Sequence, residues 1–360
     1  MKKLNKLFLA IIVSSTFFVS CSNDDDTVTP EPEPAPRGKY EGGLFIIEEG
    51  VFEKANGSIS YLSDDLKLGK NVFSLVNEGK EIKDAPQSIG FNGDFAYIIV
   101  NRGNKIEVVN RNTFKSIATI NTQINNPRYI AFANGKGYIT NWGNSADPSD
   151  DYVAVIDLTT NKVSSTIPVV EGPEQIIENN GKLYVAHKGG WSQGNSLSVI
   201  KSNSATGEVI NFTVGDIPSS LVKENGTLYV LCNGKLSYTG TETTGKLVKI
   251  DMNTDKITST IDFPGFTHPG FLAIENSKLY YTIGTNIYTT PTSATTLPTT
   301  EIFKAKVTTL YGFAVKNNKI YVADAVNYQD PGDIYIYSLT GTLSNEFSVG
   351  IIPNGFYFND

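Results

Sequence analysis

The rarest side chains of this 360-residue chain are also those best suited to gripping another molecule. There are two tryptophans, Trp142 and Trp191, and two histidines, His187 and His268. Only three arginines, Arg102, Arg111 and Arg128, follow residue 40. Tryptophan buries a large area and arginine makes forked hydrogen bonds, so both concentrate binding energy. Signals for bond-breaking chemistry are weaker. There is no His-Glu-x-x-His, no phosphate-cradling Gly-rich turn, and no Cys or His cluster at metal-ligand spacing. His187 alone cannot form a triad. Asp147, Asp150 and Asp151 share one loop and could hold Ca²⁺ with serine or carbonyl oxygens, although Asp-rich loops are usually just hydrated. The expectation is a binding protein, not an enzyme, with no catalytic residue, resident metal or cofactor.

The elements that must position these residues repeat. Pro127, Pro173, Pro218 and Pro269 each open an apolar stretch that reaches Asn134-Gly135, Asn180-Gly181, Asn225-Gly226 or Asn276-Ser277. An aromatic-bearing strand follows each turn, as in Leu183-Tyr184-Val185 and Leu228-Tyr229-Val230. Pro86 opens a further copy with Asn92-Gly93, and Tyr311 one with Asn317-Asn318. Starts at 86, 127, 173, 218, 269 and 311 lie 41 to 51 residues apart, the period of a four-stranded β-propeller blade. Asn-Gly supplies the positive φ values of a two-residue hairpin turn.

Six units are complete, and a seventh stops after Pro353–Phe358. Three strand-like runs before the first repeat, Gly43–Ile47, Ile59–Leu62 and Val72–Val76, can supply its missing strands. The fold class is therefore all-β: a seven-bladed β-propeller closed by pairing the C-terminal strand with N-terminal strands. Such a splice leaves no long open sheet edge. In a propeller, the loop entering a blade's first strand and the loop leaving its second share one face. The loops leading into the blades put Gln87, Arg128, Glu174, Ser219, His268, Tyr311 and Asn354 there. Those leaving the second strands add Glu48, Glu49, Asn101, Arg102, Asn141, Trp142, His187, Lys188, Trp191, Asn233, Tyr238, Asn286, Asp324, Asn327 and Tyr328. The candidate binding residues are Arg102, Arg128, Trp142, Glu174, His187, Lys188, Trp191, Asn233, Tyr238, Asp324 and Tyr328, with Trp142, His187 and Trp191 expected to be partly exposed. Long polar loops at 141–151, 187–195 and 233–244 raise the rim over blades two to four, and recognition commonly resides in such loops.

The start of the chain has its own pattern. Lys2, Lys3 and Lys6 precede an apolar run from Leu7 to Val19 that is short for a bilayer span. It ends at Ser20-Cys21, which resembles a bacterial lipoprotein signal in which Cys21 becomes the lipidated first residue. Residues 1–20 then form the signal peptide, 21–40 an acidic and Pro-rich tether, and 41–360 the propeller. Ser22-Asn23-Asp24-Asp25-Asp26 resembles the acidic export signal of surface lipoproteins of the Bacteroidota. Removing Lys2, Lys3 and Lys6 takes the net charge from −7 to −10. That balance argues against nucleic acid and anionic membrane surfaces as partners, leaving the lipid anchor as the membrane contact. With Cys21 lipidated, Cys232 has no disulfide partner.

Gly-Lys-Leu-Tyr-Val at 181–185, Val-Ile-Asp at 155–157 and Thr-Asn-Lys-Val at 160–163 resemble YncE-type seven-bladed propellers. Together with the lipoprotein start, the resemblance extends to surface propeller lipoproteins of the Bacteroidota, some of which sit on TonB-dependent transporters and capture corrinoids such as vitamin B12. It implies an outer-membrane, cell-surface protein that captures a nutrient, a corrinoid or else a glycan, for such a transporter. Two other functions fit the same fold: a non-catalytic scaffold docking an envelope protein, and a hydrolase or lactonase. The fold alone does not favour an enzyme. A concave, aromatic-lined pocket would favour a small ligand, and a flat apolar plateau a protein.

Overall fold

Asn134 and Gly135, at φ 50° and 72°, make the first hairpin of one blade, and Asn180-Gly181 and Asn225-Gly226 repeat it. Asn276-Ser277 and Asn317-Asn318 hold the same left-handed pair without glycine. The first unit differs by one position. Asn92 pairs with Phe95, so its turn is Gly93-Asp94, with glycine taking the positive φ of 55°.

The computed structural model describes residues 38–83, 85–144, 146–202 and 208–360. The signal peptide, Cys21, the acidic run and the Pro-rich spacer lie outside the described residues. Seven four-stranded antiparallel sheets form the ring. Blades one to six begin at Pro86, Pro127, Pro173, Pro218, Pro269 and Leu310 and run outward in chain order. Their first strands contact one another in a closed cycle that includes Pro353–Phe358. Blade five is complete but thin, its outermost strand being only Phe303–Lys304.

The seventh blade is the expected splice. Pro353–Phe358 pairs with Leu44–Glu48, with Phe356 opposite Ile46 and Phe358 opposite Leu44, and Ser58–Leu62 follows outward. One detail is corrected. Val72–Val76 is not the fourth strand but a short helix that buries Val72 and Phe73. The strand is Leu68–Gly69, and the helix lies against blade one, where Phe73 meets Phe114 edge-on. Tyr40, assigned to the tether by sequence, is a core residue 2 % exposed, so the packed ring begins ahead of residue 41.

Each second strand is buried on both sides because blades stack face to face. In Thr227–Cys232, Leu228, Val230 and Cys232 pack toward blade three while Tyr229 and Leu231 pack toward blade five. This is the period-two alternation of a strand, spent here on two apolar neighbours. Outermost strands such as Lys162–Pro168 stay largely exposed.

Candidate functional site

The proline that opens each blade is followed by a β-bulge. Pairing shifts between Pro86 and Ser88, Pro127 and Ile130, Pro173 and Ile176, and Pro218 and Ser220. Blades five and six repeat the shift after Pro269 and Leu310, and in blade seven it leaves Asn354 unpaired. A bulge re-aims the extra residue. The seven re-aimed positions are Gln87, Arg128, Glu174, Ser219, Gly270, Tyr311 and Asn354. They lie at one end of the central channel, and on the blade-seven-to-three side they are large and polar.

Arg128 and Glu174 meet in a forked pair, Nε donating to Oε2 at 3.0 Å and Nη2 to Oε1 at 2.7 Å. Both are nearly buried, and Lys188 reaches Glu174 Oε1 at 3.5 Å. Burial alone would raise the Glu174 pKa, but Arg128 and Lys188 outweigh it and hold the carboxyl below its usual value. The Arg128 guanidinium lies 4.2 Å from the Trp142 ring centre, and Trp142 Nε1 donates to the Pro173 carbonyl at 3.0 Å. Trp191 meets Trp142 edge-on at 6.3 Å and stands 78 % exposed. Its loop is seated by Gly172, at φ +66°, where a Cβ would come within 2.1 Å of the Gly190 nitrogen. The Gly172 N–H donates to Asp151 Oδ2 at 2.5 Å. Burial pushes the Asp151 pKa up to about 7, against the pull of that hydrogen bond.

Arg128, Trp142 and Trp191 wall a concave cavity of about 540 Å³, whose lining also includes Glu49, Phe52, Gln87, Asn101, Arg102, Asn126 and Tyr311. A smaller recess of about 250 Å³ shares Glu49, Phe52, Arg102 and Tyr311 with it and extends to Tyr328. Glu49 accepts from Asn354 Nδ2 at 2.7 Å and from the Tyr311 hydroxyl at 3.5 Å, and its burial raises its pKa. Arg102 sits 3.9 Å over the Phe52 ring and 3.5 Å from Glu53.

The sequence-derived candidates divide. Arg102, Arg128, Trp142 and Trp191 line the cavity, Tyr328 lines the recess, and Glu174 and Lys188 stand behind Arg128. Asn233 and Tyr238 line neither space. The Asn233 carbonyl accepts from His268 Nδ1, and Tyr238 projects into solvent, 83 % exposed. Asp324 is buried, accepting from the backbone N–H groups of Thr308, Thr309 and Val326. His187 requires a correction, because it is fully buried and not partly exposed. Its Nδ1 donates to the Val170 carbonyl at 2.8 Å, and Nε2 lies 2.6 Å from Ser198 Oγ, which also bonds Asn211 Oδ1. Burial holds its pKa down to about 4, which keeps the ring neutral. As the last residue of a second strand, it belongs to the sheet and not to the loop.

In the cavity, the polar or aromatic lining residues that escaped the sequence reading are Phe52 and Asn126. Phe52 lies in the loop leaving the blade-seven second strand, and Asn126 immediately precedes a blade-opening proline. The rule that found Glu49 and Arg128 covers both. The Asp147–Asp151 loop does not converge on a cation position. Asp147 accepts from Ser149, Asp150 from the Asn144 N–H and Asp151 from Gly172. Among the described residues no group of three His, Cys, Asp or Glu side chains is placed to hold a metal.

Residues 42–354 match the family model described as a domain of unknown function, DUF5074. The chain belongs to that family. A comparison with curated proteins finds no match. Among solved structures, this DUF5074 propeller is similar to a quinonprotein alcohol dehydrogenase-like protein from Bacteroides thetaiotaomicron. That likeness has a TM-score of 0.66 at 13 % identity, over 90 % of this chain and 80 % of that one. BamB from Moraxella catarrhalis superposes with a TM-score of 0.52 at 12 % identity, over 88 % and 86 % of the two chains. Hydrazine synthase from Kuenenia stuttgartiensis gives 0.58 at 16 %, over 75 % and 88 %. At these identities the likeness shows the propeller fold alone and leaves chemistry to the site itself.

Proposed function

We propose that this protein is a non-catalytic binding protein, lipid-anchored through Cys21 and displayed on the cell surface, that captures a small polar ligand for a TonB-dependent transporter of the outer membrane. The observation that carries the capture reading is the 540 Å³ concavity, flanked by Trp142, Trp191 and Phe52 over a polar floor. Its volume falls in the range of small-molecule sites, roughly 300–1,000 Å³, and its lining is concave where a protein-docking plateau would be flat. The anchor and the transporter rest on Lys2 to Cys21, the acidic run behind the cysteine, and the resemblance to corrinoid-capturing lipoproteins. A sugar unit fits inside the cavity. A corrinoid would span the cavity and the Phe52–Tyr328 recess together.

The test is calorimetric titration of the soluble ring with cyanocobalamin and with neutral oligosaccharides, beside the same protein carrying Trp142→Ala and Trp191→Ala. Binding of one class, lost in the double variant, is the expected result. No binding of either class, with an envelope protein retained on the same face, would instead establish the docking scaffold. One observation favours that second reading: Tyr238 and Phe266, 83 % and 65 % exposed, stand outside either cavity.

A further inference from the structure

The polar floor has an imbalance that specifies what it binds. Gln87 is only 9 % exposed and lines the cavity, yet its carboxamide has no hydrogen-bond partner among the described residues. Its polar atoms face the cavity, where any ligand that covers them must also pair them. Two neighbours point the same way. Asn101 Nδ2 donates to the Pro127 carbonyl at 3.1 Å, and Asn126 Nδ2 to the Gly143 carbonyl at 2.8 Å. Their NH₂ groups are thereby anchored, and their Oδ1 atoms accept nothing within the described residues. Donor positions are open as well, among them Arg128 Nη1, since Nε and Nη2 bond Glu174.

The cations around the floor are already matched. Arg128 and Lys188 converge on Glu174, and Arg102 faces Glu53. Glu49 is held by neutral donors, Asn354 and Tyr311. A ligand anion would find no cation without a carboxylate partner, and a ligand cation would find only Glu49, beside the Arg102 and Arg128 heads.

We infer that the cavity selects an uncharged ligand bearing hydroxyl or primary-amide groups, which donate to Asn101 and Asn126 while accepting from Arg128, and that Gln87 is its specificity-determining residue. This rests on the capture reading above and sharpens it. Hydroxyls of a sugar and carboxamides of a corrinoid share the required chemistry, each being donor and acceptor at once.

Matched pairs separate the sources and the charge rule: methyl glucoside against methyl glucuronide, and cyanocobalamin against its monocarboxylic acid. Ligand-observed NMR at millimolar concentration, followed by calorimetry, should show the neutral member of the recognised pair binding at least about tenfold tighter, because the acid adds an anion that no free cation meets. Gln87→Leu should weaken that neutral ligand about tenfold while leaving the melting temperature equal or higher, since no internal bond is lost. A preference for the acids, or unchanged binding by Gln87→Leu, overturns the inference and leaves capture standing. Binding of no member of either pair overturns both.

Discussion

One bulged position, repeated around the ring, is used in two ways. In blades one to three it carries Gln87, Arg128 and Glu174, and a cavity opens beside them. In blades four and five it carries Ser219 and Gly270, which line neither space. The backbone device is the same in both arcs, a proline and then a bulge, so the scaffold does not create the difference. Side chain and loop create it. On one arc the bulge holds a desolvated ion pair under two tryptophans, and on the other a hydroxyl and a hydrogen. The lesson is that a symmetric fold localises binding by varying the single residue that the bulge turns inward.

The comparison presupposes a closed ring, and the largest effect should come from opening it. Deleting Pro353–Asp360 removes an innermost strand with buried Phe356 and half-buried Phe358. Each buried Phe is worth about 3–5 kcal/mol, and a whole domain has only about 5–15. Loss of the cooperative melting transition is expected, measured by circular dichroism; a truncated protein with unchanged melting temperature would show that both arcs stand without closure.

Next comes the contrast itself. Arg128→Ala leaves the nearly buried Glu174 with only Lys188, at 3.5 Å, and should destabilise by about 3 kcal/mol. Ser219→Ala, at the equivalent place on the plain arc, should change stability by no more than about 0.5 kcal/mol. Urea denaturation compares them directly, and equal losses would erase the distinction between the arcs.

A pH experiment sharpens the account of what supports the Trp191 loop. His187 has a folded pKa of about 4 against an ordinary value near 6.5. Its contribution is fully present above pH 6.5 and is lost as pH falls toward 4. Asp151, raised to about 7, acts in the opposite sense: its contribution is present below the ordinary carboxylate range and lost as pH rises through 7. Asp151→Asn removes that opposing trend. In that background, the stability advantage of His187 over His187→Gln should shrink by about 3 kcal/mol between pH 7 and pH 4. A constant difference across the range would mean that the histidine takes up its proton as readily in the folded protein as in the unfolded chain.

The smallest effect on folding separates recognition from support. Trp191→Ala and Tyr238→Ala remove side chains 78 % and 83 % exposed, and each should shift stability by no more than about 0.5 kcal/mol. Only Trp191→Ala should weaken ligand binding, by about thirtyfold or more, as for a hot-spot aromatic near 2 kcal/mol. Equal weakening by Tyr238→Ala would extend the site onto blade four.

Much of the fold was legible because its signals are local. Asn134-Gly135 and its counterparts mark each hairpin, the prolines mark each blade, and Phe356 with Phe358 marks an orphan strand. Val72–Val76 misled because an apolar run of five residues reads alike as strand and as short helix. The face that carries the cavity was legible by the same topological rule, and Arg102, Arg128, Trp142 and Trp191 line that cavity. His187 does not, because a one-residue difference between the last position of a strand and the first of a loop turns a side chain from solvent into the core. The Arg128–Glu174 pair and the unpartnered Gln87 amide were beyond reach, since they depend on which blades are neighbours in space and on where each side chain's bonds end.

The splice in the seventh blade has a consequence for how the protein is made. Glu49 reaches the cavity from near the start of the described chain, and Asn354, which holds its carboxyl at 2.7 Å, arrives 305 positions later. The wall of the cavity is thus assembled from the earliest and the latest parts of the ring to leave the ribosome. A chain that stops before Asn354 lacks that partner, so the wall is complete only once the seventh blade has closed.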